Sequence, residues 1–166
     1  MGLFDFANPK PTTPTVPSVL PPVARKQIMS GQLPVLQPNN LFLKEKEVLH
    51  FADRAIYEKR TVNKRKVRKN TGYSMPGIIK GTRIYHSGGD SSTVEDEKFE
   101  TIKGLLYVTN KRIVFIGGHE SFDEKISDLL SATPYANCVE LQFERVCYKV
   151  FVPDGNVVYQ VLRLVH

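Results

Sequence analysis

From residue 41 onward, apolar and polar positions alternate in short runs, with the two-residue period of β-strands. In "VELQFE", Val139, Leu141 and Phe143 fall on one side and Glu140, Gln142 and Glu144 on the other. "VCYKVFV" repeats the pattern with Val146, Tyr148, Val150 and Val152, which places a tight turn at Glu144-Arg145. "GLLYVTNKRIVFIGG" is the clearest hairpin: residues 105–108 and 113–116 flank the turn "TNKR" and glycines bound the whole. Both of its runs are apolar on both faces, so the hairpin is predicted to be central, with Leu106, Val108, Ile113 and Phe115 in the core. "EVLHFADRAIYEKR" and "GTRIYHSG" add two more strands, whereas "DSSTVEDEKFE" reads as a polar loop by composition.

The period changes twice. After Asp154-Gly155-Asn156, the apolar residues Val157, Val158, Val161, Leu162 and Val165 fall at helical spacing, with Asp154 or Asn156 as N-cap. That favours a helix, against the alternative of one more valine-rich strand. Near the start, Pro22 suits a helix beginning and Gly31 a helix end, with Val23, Gln27 and Ile28 between. Eight of the eleven prolines lie in the first 40 residues, and proline has no amide to give a ladder. The expected organisation is therefore a Pro-rich flexible arm over 1–22, a short helix and linker over 23–40, and a β domain over 41–166. About seven short strands and one amphipathic helix imply a curved antiparallel sheet or small barrel with the helix over one open end.

Composition changes this picture little. Of 166 residues, 41% are hydrophobic and 24% charged, as in an ordinary globular domain. Cys138 and Cys147 fall on neighbouring strands several rungs out of register, too far to bridge, which suits reduced thiols in a cytosolic protein. Their spacing with His50, His86, His119 and His166 matches no zinc pattern, so no metal and no cofactor is expected. No apolar run approaches a membrane span, and the first ten residues fit neither a signal peptide nor a myristoylation site. The expected location is cytoplasmic, with peripheral attachment to the inner membrane face as an option.

Charge adds one feature. The net charge is +6, and seven of the eleven residues in 59–69 are Lys or Arg with no acid among them. The candidate anion-binding set is Lys59, Arg60, Lys64, Arg65, Lys66, Arg68 and Lys69, on a continuing strand or a loop. Arginine forks pair bidentately with phosphate and lysine adds point charge. Lys111 and Arg112, in the hairpin turn, form a weaker candidate pair. Only Tyr57 and Tyr73 flank the basic stretch, so nucleic-acid binding there would be backbone-driven and salt-sensitive. No nucleophile elbow, Walker-type or Rossmann-type glycine pattern is present, "HSGGD" is a poor acid–base pair, and Glu95-Asp96-Glu97 reads as solvated loop, so no catalytic residue is assigned.

The hairpin Lys103-Gly104-Leu105-Leu106-Tyr107-Val108-Thr109-Asn110-Lys111-Arg112-Ile113-Val114-Phe115 resembles the core hairpin of GRAM and bacterial pleckstrin-homology-like domains. "GIIKGTRIYHSGG" and "IMSGQLPVLQPNNLFLKEKEVLHFADRA" resemble flanking segments of bacterial and phage members, so the likeness covers roughly residues 25–166. It implies a pleckstrin-homology-like barrel of two antiparallel sheets, about seven strands, with a short C-terminal helix. It also implies phosphate binding near Lys64-Arg65-Lys66-Val67-Arg68, and a scaffolding role in which a peptide adds to a sheet edge beside the helix. The resulting expectation is a non-enzymatic binding module, with a protein partner and a basic segment drawn to anionic membrane. The alternative is weak, non-sequence-specific nucleic-acid binding, and a homo-oligomer is a further option.

Overall fold

The alternating runs become strands at the expected places. The structure, a computed structural model, describes residues 14–68, 82–86 and 91–166, with side chains for 14–66 and 93–166. Residues 1–13, Lys69 and most of the 86–90 turn, on which parts of the expectations fall, lie outside the described residues, as does the side chain of Arg68. The strands are β1 (Leu49–Arg68), β2 (Thr82–His86), β3 (Ser91–Thr109), β4 (Arg112–Gly117), β5 (Ser121–Lys125), β6 (Leu129–Pro134), β7 (Cys138–Phe143) and β8 (Cys147–Phe151). The helices are α1 (Pro22–Met29) and α2 (Gly155–Val165), and a 3-10 turn at Ile126–Asp128 joins β5 to β6. The chain forms two compact units, Met1–Tyr57 with Ile102–His166, and Glu58–Thr101.

In the larger unit, seven strands follow one antiparallel path, β5-β4-β3-β1-β8-β7-β6. The expected closed barrel of two sheets is not formed. β1 pairs on both sides and fuses the halves into one sheet, while its ends, β5 and β6, are linked by the 3-10 turn and no ladder. The sheet nonetheless coils strongly: Phe122 of β5 stacks on Tyr148 of β8 at 3.9 Å between centroids, and the Tyr148 hydroxyl donates to Glu124 Oε1 at 2.7 Å. Tyr57 meets Phe115, Phe122 and Tyr148 edge-on, so aromatic contacts fill the inside of the curve.

The β3–β4 hairpin is central, as its two apolar faces require. Leu106, Val108, Ile113 and Phe115 are fully buried in the main core. Tyr107 and Val114, on the other face, pack with Leu41 and Leu49 in a second cluster. Val139, Leu141, Phe143, Tyr148, Val150 and Val152 point inward as predicted. Cys138 and Cys147 are not joined by a disulfide; the register sets Cys147 opposite Gln142, four residues from Cys138.

The last apolar run is a helix. The Asp154 carboxylate caps α2 by accepting from the Asn156 amide at 2.9 Å, and Val157, Val158, Val161 and Leu162 are buried. Only glycine fits at 155, where a Cβ would lie 2.2 Å from the carbonyl oxygens of both Tyr135 and Cys138. α1 ends in a Schellman motif: the Gln32 amide donates to Gln27 O and the Gly31 amide to Ile28 O, with Gly31 at φ +90°. Its buried side is Ala24 and Ile28, while Val23 is exposed.

The flexible arm expected over 1–22 needs correction for residues 14–22. Val16 and Leu20 are buried, and Asp53, itself buried, accepts from Ser18 Oγ and the Val19 amide, both at 2.7 Å. Proline forbids a ladder but not side-chain burial, so this extended segment docks without joining the sheet.

The smaller unit, Glu58–Thr101, holds the distal part of β1, all of β2 and the first part of β3. β2 pairs antiparallel with β3, from Thr82 opposite Asp96 to His86 opposite Ser92. Within "DSSTVEDEKFE", expected as a loop, residues 91–100 are therefore strand. Its polar composition is tolerated because strand preference follows cross-strand neighbours more than intrinsic bias.

Candidate functional site

Residues 59–68 of the basic stretch are strand. Its alternation sends Arg60, Lys64 and Lys66 to one face of β1 and Lys59 and Arg65 to the other, so the cations form no single patch. β3, the neighbouring strand, brings the acidic run alongside. Arg60 pairs with Glu97, and Lys64 Nζ lies 3.1 Å from Glu95 Oε1. The acids of β3 offset part of this charge: residues 58–101 carry ten Lys or Arg and six Asp or Glu, a net charge of +4. Among the described residues, Arg65 and Lys66 are the cluster's cations without such a partner. Arg68 ends β1 by its backbone. The compensating acids were visible in the sequence about 30 residues downstream, but only a long hairpin brings them into register.

Lys111 and Arg112 both bond within the larger unit, Lys111 from an exposed position and Arg112 from a buried one. Arg112 is buried, and its Nε donates to Glu47 Oε1 at 2.7 Å, its Nη1 to Asp123 Oδ2 at 2.6 Å and its Nη2 to the Phe42 carbonyl at 2.7 Å. The Lys111 ammonium donates to the Glu45 carbonyl at 2.6 Å. Asn110 completes the clasp, accepting from the Val48 amide and donating to the Lys46 carbonyl. The hairpin turn thus ties down residues 42–48. Burial pushes the Glu47 carboxyl up, but hydrogen bonds from Arg112, the Lys44 amide and Thr109, with the charge of Arg112, outweigh it and hold it below the usual carboxylate range. The bond to Glu47 in turn raises the guanidinium further, against the opposing effect of burial.

Two of the larger unit's concavities lie beside the hairpin turn and the C-terminal helix. One, of about 520 Å³, lies at the β3–β4 turn and is lined by Lys44, Lys111, Arg112, Asp123 and Lys125 among others. The second, about 330 Å³, runs between β6 and α2 and is lined by Leu129, Leu130, Ala132, Tyr159, Leu162 and Arg163. β6 ends the strand path, so its outer edge is unpaired in the sheet. A bulge between Leu129 and Ser131 accompanies an exposed Leu130, 68% accessible. Sequence reasoning named no residue here; "LLSATP" shows only that two leucines lie adjacent, which a one-faced strand cannot bury together.

No three His, Cys, Asp or Glu side chains converge on a metal-sized site among the described residues. No described helix is long and apolar enough to cross a membrane. The comparisons with known proteins are negative. No family model, curated protein or solved structure matches the chain.

Proposed function

We propose that the protein is a non-enzymatic binding module of pleckstrin-homology-like build whose partner is another protein, received as an extended segment along β6 beside α2. The antiparallel seven-strand path and C-terminal helix support the build. The observation that carries the function is the open β6 edge next to an apolar groove, with Leu130 exposed. A strand added at such an edge gains main-chain hydrogen bonds, and the groove selects alternate side chains. The bulge at its start and Pro134 at its end shorten the free edge to residues 131–133, which discourages indiscriminate pairing. Arg163, at the groove wall over the Tyr159 ring, favours a carboxylate on the incoming segment.

The runner-up, weak nucleic-acid binding through β1, loses support from the carboxylates on β3, which a phosphate backbone would meet together with the cations. Selection from a random displayed-peptide library tests the main reading. Selected peptides are expected to lose binding to Leu130→Asp and Arg163→Glu variants, both changed at exposed positions of the groove, whose melting temperatures are unchanged. Peptides that bind these variants as tightly as the parent, or a library that yields none, would sink it.

A further inference from the structure

Among the described residues of the unit Glu58–Thr101, none joins a buried apolar cluster and no side chain is buried. A small sheet ordinarily needs one face covered to be stable. Which residues share a face can be read from the ion pairs. Arg60–Glu97 and Lys64–Glu95 place even-numbered residues of β1 and odd-numbered residues of β3 on the same side. Val62, 41% exposed, and Phe99, 60% exposed, fall on that side with them. The face therefore has a strip of cations with one apolar residue on β1, and beside it a strip of carboxylates with one aromatic on β3.

We infer that this face associates with the same face of a second copy of the chain. A two-fold axis parallel to the strands, lying between β1 and β3, sets the basic strip of one copy on the acidic strip of the other. It also brings Val62 and Phe99 of both copies into the shared interface. Isologous contacts require this kind of self-complementarity. A polyanion would fit the cations but meet Glu95 and Glu97, and a purely acidic or purely basic partner would fit one strip and repel the other. The inference is independent of the β6 groove.

Light scattering and sedimentation of the full chain test it. The wild type is expected at twice the chain mass, dissociating on dilution, and Phe99→Asp at the chain mass with an unchanged circular-dichroism spectrum. Lys64→Glu and Glu95→Lys are each expected to be monomeric, since each leaves one sign on the central pair. Mixed together they should form a heterodimer, because an all-acidic centre then meets an all-basic one. A role confined to the fold of one chain would not produce that recovery. A wild type that stays monomeric well above micromolar concentration overturns the inference. So does a dimer insensitive to Phe99→Asp, or a pair of folded charge variants that do not recombine.

Discussion

Replacing Arg112 by Met tests whether the hairpin turn works as an internal clasp. The Glu47 side chain is fully buried and that of Arg112 is 10% exposed, so solvent screens the pair little. Methionine keeps much of the packing volume and removes the charge. Glu47 would keep the Lys44 amide and Thr109 hydroxyl as donors but lose its only cation. Breaking a buried pair by deleting one partner costs about 3–5 kcal/mol. At about 2–4 °C per kcal/mol for a chain of this size, the melting temperature should fall by roughly 6–20 °C. The pH dependence carries a sign. In the wild type the Glu47 carboxyl is held below its unfolded value, so its contribution is fully present above the unfolded pKa. It is lost as pH falls through the lower, folded one. In the variant, burial acts on Glu47 without the cation, its carboxyl rises, and protonation stabilises the folded form. The gap between wild type and variant should therefore narrow on acidification below the usual glutamate range. Thermal melts followed by circular dichroism from neutral to acid pH measure it. A gap of only a degree or two at neutral pH, or one that widens in acid, would refute the reasoning.

Three further outcomes follow from the packing. Phe115→Ala should cost about 3–5 kcal/mol, because the ring is fully buried against Tyr57 and Phe122; denaturant midpoints check it. Leu20→Ala should cost about 2–5 kcal/mol, the lower end if the docked segment relaxes, whereas a mobile arm would give no change in the same assay. Tyr148→Phe removes the hydroxyl that donates to Glu124 and should cost about 0.5–1.5 kcal/mol, and spectrophotometric titration should find the wild-type Tyr148 phenol resisting ionisation beyond the ordinary tyrosine range, since burial and then Glu124 both push it up.

Strand positions were legible wherever one face alone decides the pattern. Val139, Leu141 and Phe143 alternate with polar residues because β7 has one buried side, and the period read true. The hairpin's double apolar pattern was legible too, once its second face was granted a cover; that cover is the chain around Leu41, which has no strand pattern of its own. The segment around Val16 and Leu20 was not legible, because it docks by individual side chains and by two donors to Asp53. One sign of it was present. Asp53 alternates in step with Phe51, Ala55 and Tyr57, all buried, and a carboxylate at an inward position needs local donors. The missing information was which segment supplies them.

The basic stretch shows why charge along a chain is a poor guide to charge in space. Seven cations in eleven residues describe a patch only if the neighbouring strand is neutral, and the sequence does not state register. Here an acidic run that composition alone assigns to a loop lies on the adjacent strand. Pairing converts an apparent anion site into a surface of alternating strips, and alternating strips select a different kind of partner. Coulomb attraction to a distant polyanion depends on net charge, which the acids reduce to +4 over residues 58–101. Recognition at contact depends on the order of the charges, and that order is kept. The same residues therefore weaken a long-range hold on phosphate and favour short-range fit to a surface carrying the complementary order.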